Sequence, residues 1–174
     1  GKPEVTEVIS TGAIKEDELL ALVASAEKRS EHPLGEAIVK AVPDLKVSKF
    51  EILDFQSYMG KGVSAVVKTP SGERSILAGN KKLFDEQGFE LAAFADKMKS
   101  LEMQGKTLIT VAVDGEIAGF VAIRDLLKDT SFRAVLMLKK SGRKVMLITG
   151  DNPQTAAAIA KEAGIDEVLS GFSP

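Results

Sequence analysis

The only histidine of the chain, His32, stands in Ser30-Glu31-His32-Pro33-Leu34, five residues after Glu27. A neutral imidazole offers a flat face and a ring nitrogen to a ligand's planar ring. A carboxylate at Glu27 would accept a hydrogen bond from an exocyclic amine. The same residues also fit an ordinary helix–helix corner with a surface histidine. Gly60-Lys61-Gly62 lies between two apolar segments, where glycines let the backbone approach a ligand or adopt positive φ, or simply make a tight turn. Gly79-Asn80 reads as a strand end and helix cap, with a ligand contact as the alternative. Thr149-Gly150-Asp151-Asn152 joins an apolar run to a helical pattern. A hydroxyl and free N–H groups at a helix start suit an anion, and the adjacent aspartate suits a metal–phosphate group; a plain N-cap by Asp151 or Asn152 explains the same residues. Asp125 and Asp129 flank a change of pattern and read as hinge or cap residues.

Other chemistries are absent. There are no cysteines in the 174 residues, so no disulfide, thiolate nucleophile or thiolate metal site is available, and one histidine makes no multi-histidine site. A carboxylate site for a hard cation such as Mg²⁺ stays open. No Gly-x-x-x-x-Gly-Lys-Ser/Thr loop and no Gly-x-Ser-x-Gly elbow occurs. The net charge of −2 provides no strong field for nucleic acid or an anionic membrane. Hydrophobic residues make up 44% and charged residues 28%, which suits a folded globular chain rather than a disordered one. No apolar run approaches the roughly 18–20 residues that span a bilayer, and the N-terminus is no signal peptide, so a soluble, cytosolic chain is expected.

Two structural styles must position these residues. Glu4 to Ile9 alternates as a strand, and Lys15 to Arg29 places Leu19, Leu20, Leu22, Val23 and Ala26 at helical spacing. Pro33 fits the first turn of a second helix that stops before Pro43. Phe50, Ile52 and Leu53 belong to a strand, Val63 to Val67 to the next, and Glu73 to Ala78 to a third after the turn at 69–72. Asn80 caps a short helix ending near Gly88, and Glu90 to Gln104 reads as a longer helix ended by Gly105. Asp114-Gly115 joins strands Thr107–Val113 and Glu116–Ile123 in a hairpin. Beyond Arg124, a helix to Lys140, a buried-looking strand Val145–Ile148, a helix Pro153–Ala163 and a strand within Ile165–Leu169 repeat in the α/β manner. The expected fold is therefore an α+β domain over 4–121, an antiparallel sheet flanked by helices. An incomplete α/β fragment follows over 122–174.

In order along the chain, Ser30-Glu31-His32-Pro33-Leu34, Gly60-x-Gly62, Gly79-Asn80 and Met146-Leu147-Ile148-Thr149-Gly150-Asp151-Asn152 resemble the heavy-metal (P1B) P-type ATPases. The resemblance covers nearly the whole chain, and Gly1 to Val5 resembles the family's segment just after its phosphorylated aspartate. It implies an ATP-binding domain over 4–121 and a truncated, haloacid-dehalogenase-like phosphorylation domain over 122–174. Glu27 and His32 would recognise adenine, and Gly60, Gly62, Gly79 and Asn80 would line the same pocket. Thr149, Gly150 and Asp151 would serve the phosphorylation domain near the phosphoryl group and the ATP–Mg²⁺ end, and Asp125 would be the hinge.

Implied cofactors are ATP and its Mg²⁺, with no dedicated metal site in this chain. Implied partners are ATP or ADP, the rest of the phosphorylation domain, an actuator domain and transmembrane helices; nucleic acid is not among them. The family's Asp-Lys-Thr-Gly-Thr and Gly-Asp-Gly-x-Asn-Asp motifs are absent. The chain is therefore expected to be the cytoplasmic piece of an integral membrane pump that binds ATP without turning it over. Ser30 to Gly35 followed by Ala37-Ile38 resembles copper(I) exporters more than zinc or cadmium ones. A haloacid-dehalogenase-type phosphatase is the first alternative, although its Asp-x-Asp-x-Thr motif is missing, and a stand-alone nucleotide-sensing module is the second.

Overall fold

The computed structural model describes residues 2–43, 50–126, 129–150 and 153–171. They form two compact units. The larger takes its described residues from 3–95 and 108–123; the other takes its from 2, 96–107 and 124–171.

The larger unit is built on a six-stranded antiparallel sheet. Its strands are β1 (Lys2–Ser10), β2 (Glu51–Tyr58), β3 (Gly62–Thr69), β4 (Gly72–Gly79), β5 (Thr107–Val113) and β6 (Glu116–Leu126), in the spatial order β1-β6-β5-β4-β3-β2. Alternation decides which face is buried. Val63, Ala65 and Val67 of β3 and Ile76 and Ala78 of β4 point into one core. Helix α1 (Glu16–Glu27) packs on β3 and β4 and carries helix α2 (Pro33–Lys40) on its flank. Leu19, Leu22 and Val23 of α1 and Ile38 of α2 are fully buried there, each contributing about 1.5–3 kcal/mol by leaving water. Glu16, Asp17 and Glu18 in the first turn of α1 favour its start, because carboxylates suit the positive end of a helix.

The side chains that alternate out of this core are covered differently. Helix α3 (Lys81–Glu86) buries Leu83 and Phe84. The Phe84 and Phe89 rings stand 5.1 Å apart, and Phe94 meets Phe120 edge-on at 5.3 Å. This aromatic packing explains a difference from the sequence expectation. The chain between Glu90 and Gln104 is not one helix, but a 3₁₀ turn over Ala92–Phe94 followed by helix α4 (Ala95–Glu102). Phe89 donates its N–H to the Phe84 carbonyl at 2.9 Å, and Leu91 is buried, so the segment is tied down before an α-turn can form. Strand β2, which contains Leu53 as expected, carries a bulge there. The β2–β3 register shifts between Ile52 and Asp54, and the residue between them is bulged and exposed.

The hairpin expected at Asp114-Gly115 is present, with φ of 52° and 84° at the two residues, the type I′ geometry. Asp114 also clasps the neighbouring strand. Its Oδ1 accepts the Ser75 N–H at 2.8 Å, and its Oδ2 lies 2.7 Å from Arg74 Nε.

In the second unit, helix α5 (Asp129–Lys140), strand β7 (Met146–Ile148), helix α6 (Pro153–Ala163) and strand β8 (Glu167–Leu169) follow in order, and β7 pairs parallel to β8. Helix α6 buries a small-residue face of Thr155, Ala156, Ala160 and Ala163. Lys139 Nζ ties α5 to the turn after α6 through the Gly164 carbonyl at 2.9 Å and Asp166 Oδ2 at 2.5 Å. The strand expected to be buried is not. Met146 and Ile148 are 45% and 66% exposed. The reason is that β7 has β8 as its one partner strand among the described residues, whereas a parallel strand reads as a continuous apolar run when both faces are covered. No helix among the described residues is long and apolar enough to cross a membrane.

Candidate functional site

Two corners of the larger unit gather most of the residues singled out above. The first forms where α1 passes into α2. Helix α1 ends without glycine or proline; the Ser30 N–H turns back to the Glu27 carbonyl at 2.8 Å and closes it. His32 is the N-cap of α2 in extended conformation, and Pro33 occupies the first helical position. The His32 Nδ1 accepts the Leu34 N–H at 3.2 Å. In the neutral ring the proton therefore sits on Nε2. The side chain is exposed, so a ring face and an Nε2–H donor are open to a ligand.

Glu27 stands differently. It is 6% exposed, and its carboxylate is packed against Gly35 and hydrogen-bonded to Ser30. Burial raises its pKa above the usual carboxylate value, and the Ser30 hydrogen bond opposes part of that rise. A carboxyl whose pKa is raised by folding contributes stability fully below its unfolded pKa. That contribution is lost as pH climbs through the folded pKa. Glu27→Gln removes the titration. The melting temperature of the variant minus that of the wild type is therefore expected to be more positive at neutral pH than below about pH 4. A difference that does not change with pH would show that Glu27 carries no such cost.

The second corner is built by Gly60, Gly62, Gly79 and Asn80. Gly62 and Gly79 are directly paired across β3 and β4. Asn80 joins three pieces of chain. Its N–H donates to the Lys61 carbonyl at 2.8 Å, its Nδ2 donates to the Gly60 carbonyl at 3.1 Å, and its Oδ1 accepts the Leu83 N–H at 3.0 Å to cap α3. Gly60 has φ of 67°, and a Cβ there would meet nothing within 4 Å, so it is an open turn. The one side chain in the Gly-x-Gly turn, Lys61, is held by both Glu86 carboxylate oxygens at 2.9 and 2.7 Å.

Thr149 and Gly150 belong to the second unit. They follow the carboxyl end of β7, where the Thr149 N–H donates to the Leu169 carbonyl at 3.0 Å, and α6 begins at Pro153. Asp151 lies outside the described residues, as does Asn152, and nothing is described of the Asp125 side chain. Among the described residues no group of three or more His, Cys, Asp or Glu side chains is placed to hold a metal ion.

The structure thus brings Glu27 and His32 to one corner and Gly60, Gly62, Gly79 and Asn80 to another. It adds two residues to which the motif reading gave no role: Ser30, bonded to Glu27, and Gly35, against which the carboxylate rests. A glycine in the first turn of α2, where alanine would be better for the helix, was the signal available for Gly35.

The haloacid dehalogenase-like hydrolase family model matches residues 1–173. The chain is 44% identical over its full length to a copper-exporting P-type ATPase of Bacillus subtilis (strain 168), of which it spans 21%. The structure of a zinc-transporting PIB-type ATPase in its E2.Pi state matches with a TM-score of 0.74 and 32% identity, covering 99% of this chain and 27% of that one. The N-domain of HMA6, a copper-transporting P-type ATPase, is matched over its whole length by 71% of this chain, with a TM-score of 0.57 and 26% identity. The chain spans about a fifth of the curated relatives it matches. The full-length match to the family model shows that the chain belongs to the haloacid dehalogenase-like hydrolases, and within them it is similar to heavy-metal P-type ATPases.

Proposed function

We propose that this chain is the ATP-binding portion of a heavy-metal-translocating P-type ATPase, with residues 4–121 as the nucleotide-binding domain and 122–174 as part of the phosphorylation domain. The observation that carries this reading is the His32 corner. An exposed imidazole is fixed by its own helix cap through Nδ1, with a buried carboxylate close by in sequence. His32 stacks on adenine and Glu27 reads its exocyclic amine. Gly60, Gly62, Gly79 and Asn80 form the wall along which the nucleotide lies. Thr149, Gly150 and Asp151 serve the phosphoryl end, and the nucleotide's γ-phosphate is presented to an aspartate that this sequence does not contain. Mg²⁺ enters on the nucleotide's phosphates.

Binding is weak by construction. Lys61, in the glycine turn, is already paired with Glu86, and no P-loop cradles the phosphates. An expected binding free energy of about −4 to −6 kcal/mol places the Kd between roughly 1 mM and some tens of micromolar. Calorimetric titration of the chain with Mg²⁺–ATP checks this, together with a phosphate-release assay on the same sample. Binding without turnover is expected, because phosphoryl transfer needs nucleophile, metal and charge stabilisation together. No binding at millimolar nucleotide, or turnover abolished by Asp151→Ala, would refute the reading.

The cargo assigned to the pump is copper(I). The Ser30–Gly35 motif and the Bacillus subtilis relative's name both support it. ATPase activity of the whole pump in vesicles, stimulated by Zn²⁺ rather than Cu⁺, would reverse the assignment.

A further inference from the structure

Glu27 is largely buried, and its surroundings explain how its carboxylate is held. A methyl group at position 35 would stand 2.5 Å from Glu27 Oε2 and 3.2 Å from both Cβ and Oγ of Ser30. The carboxylate therefore occupies space that only a glycine at position 35 leaves open. The Ser30 side chain borders the same seat, within hydrogen-bonding reach of the carboxylate. The Ser30 Oγ also accepts the His32 N–H at 3.3 Å. One short chain of contacts, Gly35–Glu27–Ser30–His32, links the carboxylate to the backbone of the imidazole.

We infer that Gly35 and Ser30 are positioning residues that set adenine specificity: Gly35 by vacating the seat of the Glu27 carboxylate, Ser30 by fixing it relative to His32. The inference rests on the adenine-site reading above. Gly35 lies in helix α2 without positive φ, so alanine suits the backbone there and gains in helix propensity. The tight contact is with the end of a side chain. Gly35→Ala is therefore expected to fold and to move the carboxylate rather than the helix.

The test compares ATP with inosine triphosphate, whose 6-position carries a carbonyl oxygen in place of the amine. Stacking on His32 serves both; a carboxylate acceptor suits only the amine. Binding of both nucleotides to the chain is measured for the wild type, Gly35→Ala, Ser30→Ala and Ser30→Thr. The wild type is expected to prefer ATP. In Gly35→Ala that preference falls about tenfold, the worth of one hydrogen bond to a charged group, while affinity for inosine triphosphate holds. Ser30→Ala shifts the preference in the same direction, and Ser30→Thr, which keeps the hydroxyl, restores it.

Loss of both affinities together, or an unchanged preference in Gly35→Ala and Ser30→Ala, would overturn the inference while leaving the ATP site standing. A wild type that binds both nucleotides equally would overturn it too, and one that binds neither would overturn the ATP-site reading with it. If Gly35→Ala fails to fold, Ser30→Ala and its threonine counterpart decide alone.

Discussion

Gly62→Ala is expected to cost about 2–5 kcal/mol of stability and to abolish measurable ATP binding. Gly62 has φ of 153°, and a Cβ there would stand 2.1 Å from the Ala78 carbonyl oxygen and 2.5 Å from Gly79 Cα. Both of those atoms are backbone, so no side chain can swing aside. The third neighbour, Leu83 Cδ2 at 2.9 Å, belongs to a fully buried residue. Relief requires β3 and β4 to part at the Gly62–Gly79 rung. That movement also strains the Asn80 bonds to the Lys61 and Gly60 carbonyls, and with them the wall of the proposed pocket.

Gly72→Ala is the control for this prediction. Gly72 has φ of 119°, but a Cβ there would meet nothing within 4 Å, so its replacement carries backbone strain without a clash. Urea denaturation of the two variants separates the contributions. If Gly62→Ala loses no more stability than Gly72→Ala, the close approach of the two strands is not what demands glycine at position 62.

The glycine corner was legible in the sequence because its causes are local. Glycines flanking an apolar strand and an Asn before a helix each follow from one residue's backbone preference, and the structure places them together through the β3–β4 register. The hairpin at Asp114-Gly115 was legible for the same reason. The α1–α2 corner was only half legible. Helical periodicity places Leu19, Leu22 and Val23 inward, but it does not say what the carboxylate of Glu27 touches. That depends on how α2 lies against α1, a tertiary fact, and it seats the carboxylate beside Gly35. The bulge at Leu53 and the 3₁₀ turn before α4 escaped because each answers to a partner distant in sequence or to ring packing, while residue spacing near them still fits regular structure. Val145–Ile148 misled because an apolar run reports what a strand requires for burial, not whether the neighbours that would bury it are present.

His32→Asn is expected to weaken ATP binding roughly tenfold or more, through loss of the ring face and the Nε2–H donor, with stability changed by less than about 0.5 kcal/mol. The choice of asparagine follows from the structure. His32 is at once the candidate adenine contact and the N-cap of α2, its Nδ1 accepting the Leu34 N–H. Truncation to alanine removes both roles. His32→Ala should therefore lose the same affinity together with about 0.5–2 kcal/mol of helix stability, and a lowered melting temperature in that variant does not count against a role in binding. Asparagine is a favoured N-cap whose side-chain oxygen replaces Nδ1 as acceptor, yet it has no ring to stack. The pair of variants thus separates two functions carried by one side chain. ATP affinity and thermal melting are measured on both. If His32→Asn binds ATP as the wild type does, the histidine is a helix cap and the adenine must be recognised elsewhere on the domain.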